Sequence, residues 1–70
     1  MMRTKEEITM TFGKGPAGTQ ATITIPAGTR CMPTGDGQYF VDDLSWLDRN
    51  SITYHDANYY GIRLNADQVA

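Results

Sequence analysis

The stretches ITMTF at residues 8–12 and ATITI at residues 21–25 decide the fold class. In the first, Ile8, Met10 and Phe12 alternate with Thr9 and Thr11; in the second, Ala21, Ile23 and Ile25 alternate with Thr22 and Thr24. A period of two sends successive side chains to opposite faces of a strand, whereas a helix would place apolar residues three or four apart. Two antiparallel strands follow, each with one buried face and one wet face lined by threonine. Ile8, Met10, Ile23 and Ile25 are expected to point inward. Between the runs, GKGPAGTQ at 13–20 is long and glycine-rich and reads as a mobile loop.

Working outward, PAGT at 16–19 recurs as PAGT at 26–29. In each copy proline fixes the start of a turn and glycine supplies the positive φ that reverses the chain. Nothing continues the period, so these are two turns rather than a solenoid repeat. Arg30–Met32 reads as a third strand that Pro33 stops or confines to an edge, and TGDG at 34–37 as a turn. Gln38–Val41 reads as a fourth strand. Asp43 or Ser45 is placed to cap one helical turn across LSWL at 44–47, where a tight loop fits equally well. Ser51–His55 and Tyr59–Leu64 read as strands five and six around a reversal at Asp56–Asn58. Asn65 fits the N-cap of a last short turn, after which Val69 folds back onto the core. The expected fold is all-β, with five to six short strands and at most one or two single-turn helices. An SH3-like small antiparallel barrel is the first choice and a curled open sheet the second.

Seventy residues form one domain, 1–70, whose core supplies only a few kcal/mol net. With 40% apolar and 20% charged residues the chain has the composition of a globular domain. Its apolar runs are two or three residues long, too short for a transmembrane helix or a signal-peptide core. Arg3, Lys5, Lys14 and Arg30 against Glu6 and Glu7 leave residues 1–30 at +2. Arg49 and Arg63 against Asp36, Asp42, Asp43, Asp48, Asp56 and Asp67 leave residues 31–70 at −4. The larger half thus lacks the basic footprint of a nucleic-acid binder. An acidic face of this kind either solubilises the domain or meets a basic partner.

Candidate chemistry is sparse. His55 is the only histidine and precedes Asp56, but neighbours on a strand face apart, and no nucleophile completes a triad. Asp42 and Asp43 likewise face apart on an extended chain, which suits capping and solvation better than acid–base catalysis. One cysteine and one histidine are too few for a structural zinc site. The aspartate spacing does not match a calcium loop, and GKGPAGT lacks the order of a phosphate loop. Cys31 reads as a small core residue. No catalytic, cofactor-binding or metal-ligating residue is assigned, and no cofactor is expected.

Six of the seven aromatic residues lie in the acidic half: Tyr39, Phe40, Trp46, Tyr54, Tyr59 and Tyr60. A core this small leaves one or two tyrosines exposed, and tyrosine and tryptophan are the usual anchors of protein interfaces. In a strand at 59–64, Tyr60, Ile62 and Leu64 form the core set, so Tyr59 and Arg63 look outward. The expected partner-binding residues are Tyr39, Asp42, Asp43, Trp46, Asp56, Tyr59 and Arg63.

ITIPAGTRC at 23–31, QYFVDD at 38–43 and HDANYYGIRL at 55–64 resemble small accessory proteins encoded by bacterial phages and plasmids, among them anti-CRISPR-like and other anti-defence inhibitors. The resemblance implies a non-enzymatic inhibitor in the bacterial cytoplasm that binds and blocks a host protein, such as a CRISPR or restriction component. It carries over no functional residue; the missing basic groove argues against direct nucleic-acid binding, and the short apolar runs against a membrane. The alternative is a small-ligand binder or enzyme whose pocket forms between subunits of a homo-oligomer.

With a net charge of −2 and no basic stripe, the chain is expected to bind free DNA or RNA no more tightly than about millimolar near physiological salt. Fluorescence anisotropy with a short duplex and a single strand measures this. Micromolar, salt-sensitive binding would overturn the charge argument.

Overall fold

The threonine-alternating runs pair as their periodicity requires. The computed structural model describes residues 2–13 and 20–70. Its strands are β1 (Met2–Arg3), β2 (Ile8–Phe12), β3 (Ala21–Ile25), β4 (Arg30–Pro33), β5 (Gln38–Val41) and β6 (Arg63–Asn65). Helix α1 (Ile52–Tyr60) separates β5 from β6, and a 3-10 helix (Ala66–Gln68) follows. β2 and β3 are antiparallel, with Ile8 opposite Ile25, Met10 opposite Ile23 and Thr9 opposite Thr24. Ile23 and Ile25 are buried, Ile8 and Met10 half-buried, and the four threonines exposed. The loop expected at 13–20 and the first PAGT turn lie largely outside the described residues.

The remaining strands form one antiparallel sheet in the order β1-β4-β5-β6, and β2–β3 forms a second. The structure is therefore β-rich with two antiparallel sheets, and its ladder is not closed into a barrel. β6 is only three residues long before the chain turns into the 3-10 helix. The last residues of the sequence return to β1: Arg3 and Ala70 exchange two backbone hydrogen bonds of 2.9 and 2.8 Å, and Thr4 bridges Val69. As the sequence suggested, Asn65 starts the last short turn, its N–H donating to Gln68 Oε1 at 2.8 Å, and Val69 is buried.

The strand expected at 51–55 does not form, and the one expected at 59–64 is reduced to β6. A nine-residue helix replaces the first of them and the reversal at 56–58. Its β-branched and aromatic residues favour strand locally, but end signals override that preference. Ser51 is extended, and its Oγ accepts the Tyr54 N–H at 3.1 Å, an N-cap. Gly61 adopts φ 84° and its N–H donates to the Ala57 carbonyl, closing the C-terminus in a conformation that side chains resist. The helix buries only Ala57, so its apolar pattern is too weak to read in advance. At 44–47 the chain makes a turn rather than a helix: Leu47 N–H donates to Leu44 C=O, and Asp43, not Ser45, caps it.

The core joins both sheets and the helix through Phe12, Ile23, Ile25, Cys31, Val41, Ala57, Ile62, Leu64 and Val69. Cys31 is 1% exposed and its thiol donates to the Thr29 carbonyl at 3.4 Å. Burial, then the charge of Asp42, pushes this thiol above its ordinary pKa.

Two buried polar residues tie the sheets together. Thr4 Oγ1 donates to the Pro26 carbonyl at 2.8 Å and accepts the Thr29 N–H at 2.9 Å. Thr29 Oγ1 donates to the same Pro26 carbonyl at 2.6 Å. Gly28, with φ 83°, returns its N–H to the Thr4 carbonyl, completing the turn between β3 and β4. Replacing Thr4 with Val keeps the shape but strands the buried Thr29 N–H, which should cost about 1–3 kcal/mol. Urea denaturation should show this loss, whereas Thr24→Val on the exposed face should stay within about 0.5 kcal/mol of the parent.

Candidate functional site

Helix α1 carries the largest exposed apolar groups of the described residues: Ile52 is 62% exposed, Tyr59 83% and Tyr60 52%. Tyr59 and Tyr60 meet edge to face, with centroids 4.8 Å apart and planes at 77°. Asp56 lies three and four residues before them, which on a helix is the same side. His55, Asp56, Asn58, Tyr59 and Tyr60 line one shallow depression. Its chemistry is an aromatic pair beside a carboxylate, suited to a basic side chain that brings both charge and a flat or alkyl surface. His55 is exposed and stands edge-on to Tyr54. Because the segment is helical, His55 and Asp56 lie about 100° apart around an axis, not on opposite faces of a strand.

Neighbouring depressions extend this surface in two directions. Asn58 also borders a hollow against Asp42, Asp43 and Arg49, and Tyr60 borders another against Met10, Phe12 and Arg63. Five of the seven expected residues, Asp42, Asp43, Asp56, Tyr59 and Arg63, thus rim depressions that share helix residues. Tyr39 and Trp46 are half-buried and pack against the core. Tyr39 is half-buried opposite Leu64, and Trp46 packs on the core while its indole N–H donates to the Asp43 carbonyl at 2.7 Å. Tyr60, assigned to the core by strand alternation, is exposed because it ends the helix. Ile52 was missed for the same reason. The Ser51 and Gly61 signals flanking nine residues could have placed both on a helix surface.

Three aspartates build the backbone around them. Asp36, Asp43 and Asp48 each accept, through Oδ1, the N–H two residues ahead, from Gln38, Ser45 and Asn50. This turn uses a side-chain oxygen where a regular turn uses a carbonyl. The Ser45 backbone and side chain hold the Asp43 carboxyl below its ordinary pKa, with smaller help from Arg30 and Arg3. The Thr34 hydroxyl does the same for Asp36, followed by the Gln38 N–H and Arg63. Asp42 pairs with Arg30, Oδ2 to Nε 2.8 Å, and Arg63 lies 3.7 Å from Asp36. Asp56 makes no ion pair among the described residues. No three His, Cys, Asp or Glu side chains converge among the described residues.

No protein-family model, curated protein or solved structure matches the chain.

The lowered carboxyls set the sign of the acid response. A folded-state pKa below the unfolded one stabilises the fold above the unfolded value, and that stabilisation disappears as pH falls through the folded one. Thermal melts should therefore drop as pH falls below the ordinary carboxyl value of 3.8. Asp43→Ala should flatten that drop slightly. The effect should be small and salt-sensitive, because both groups are open to solvent. An unchanged acid profile in Asp43→Ala would contradict the assignment.

Proposed function

We propose that this chain is a non-enzymatic protein-binding module that docks a basic partner surface on the outer side of α1. The supporting observation is Tyr59, 83% exposed, edge-on to Tyr60 and beside the unpaired carboxylate of Asp56. Water-exposed aromatic area is released from hydration only when something covers it, and a carboxylate at its rim steers a cationic partner toward it. Its specific form is a phage- or plasmid-encoded inhibitor in the bacterial cytoplasm that binds and blocks a host factor such as a CRISPR or restriction component. The architecture proposed for it is an opened SH3-like roll. A long hairpin between β1 and β4, and a 3-10 helix leading to a final bridge with β1, support that reading.

The test begins with affinity capture from a bacterial lysate and identification of the partner by mass spectrometry. Tyr59→Ala should then weaken binding by about thirtyfold, the cost of about 2 kcal/mol typical of a central anchor. Asp56→Asn should mainly slow association at low salt. If both variants bind like the parent, the docking surface lies elsewhere. A stable tetramer at micromolar concentration would favour the small-ligand alternative, with its pocket between subunits.

A further inference from the structure

We propose that the outer edge of β2 pairs with β2 of a second copy of this chain, forming a weak antiparallel dimer about a two-fold axis at Met10. Among the described residues, β2 and β3 form a ladder only with each other. Each therefore presents an outer row of backbone N–H and C=O groups. Proteins usually blunt such edges with charge, proline, a bulge or shortness. Here β1 and β6 are short, at two and three residues. β2 and β3 have five residues each, no charged residue, no proline and an unbroken register.

Burial selects β2 over β3. Ile23 and Ile25 are 5% and 0% exposed, while Met10 and Ile8 across the ladder are only half-buried. The apolar surface still open to water therefore lies along β2, where a further strand would cover it.

The sequence of β2 identifies the occupant. ITMTF reads nearly the same in both directions. An axis at Met10 sets Met10 opposite its mate, Thr9 opposite Thr11 and Ile8 opposite Phe12. The molecule already uses this chemistry once. Within the hairpin, Thr9 faces Thr24 with hydroxyls 3.4 Å apart, and Met10 faces Ile23. A second β2 repeats on the outer edge what β3 does on the inner one. A slip of one residue would set threonines against the apolar face, so the two-fold register is the favoured one. The interface is isologous and closes at two copies. Five paired residues span only about 17 Å, below the usual size of a stable interface, so the dimer is weak.

Sedimentation velocity should find dimer at about 1 mM and monomer at about 10 µM. Thr9→Lys with Thr11→Lys changes exposed positions only and sets lysines face to face across the axis. It should weaken the dimer by about tenfold or more with circular dichroism unchanged. Thr22→Lys with Thr24→Lys, on β3, should leave association as in the parent. In a separate variant, Met10→Cys should form an intermolecular disulfide on oxidation, because directly opposed Cα atoms lie about 4.5–5.5 Å apart, within disulfide range. A parent chain that is monomeric at about 1 mM overturns the proposal. So does a dimer weakened more by the β3 changes than by the β2 changes, or one that Met10→Cys does not cross-link.

Discussion

The carbonyl of Pro26 accepts two hydroxyl protons, from Thr4 at 2.8 Å and Thr29 at 2.6 Å, and both threonines are buried. This small knot stands where the β2–β3 hairpin leaves off and the four-stranded sheet begins. The two sheets share no ladder, so their relative placement depends on side-chain packing and on this joint. Buried hydroxyls are costly unless satisfied, and here each one is. Ile25, the most buried isoleucine, ends β3, and the chain turns directly after it. Gly28 and the threonines hold that turn against the first strand. With the small core that seventy residues provide, these hydrogen bonds add to side-chain packing in fixing that geometry.

The acidic half divides its carboxylates between architecture and surface. Asp36, Asp43 and Asp48 fold back on the N–H two residues ahead, and Asp42 reaches across to Arg30. A net charge near −4 over residues 31–70 therefore overstates the charge facing outward without a local partner. Asp56 differs. It sits half-buried on a helix whose one buried residue is Ala57, and it makes no ion pair among the described residues.

Legibility in the sequence followed periodicity. β2 and β3 were readable because alternation with threonine persists for five residues in each. β4 and β5 were readable because TGDG separates them. Ile62, Leu64 and Val69 were placed in the core correctly. Helix α1 was not read, because Ile52, Thr53, Tyr54 and His55 look like strand and the helix buries too little to show a stripe. β1 was missed because two residues carry no period; its place follows from long-range pairing with Cys31 and Arg30. The helix also changes which residues of 52–60 face outward. Tyr59 was placed outward through strand alternation, and it is outward as a helix residue. Tyr60 was placed inward by the same alternation, and it is exposed. Trp46 and Tyr39 read as anchors from residue type, and in the structure both are half-buried against the core.

Cys31 gives the molecule a built-in reporter of its own opening. The thiol lies on β4 between Met2 and Val41 across the sheet, 1% exposed, with burial raising its pKa. Only the thiolate attacks a labelling reagent, and in the folded chain it is scarce and covered. Modification must therefore wait for a local opening that uncovers the thiol. The labelling rate of a single native thiol, compared with that of an unfolded peptide, then reads the frequency of that opening in the intact chain, without denaturant or added probe.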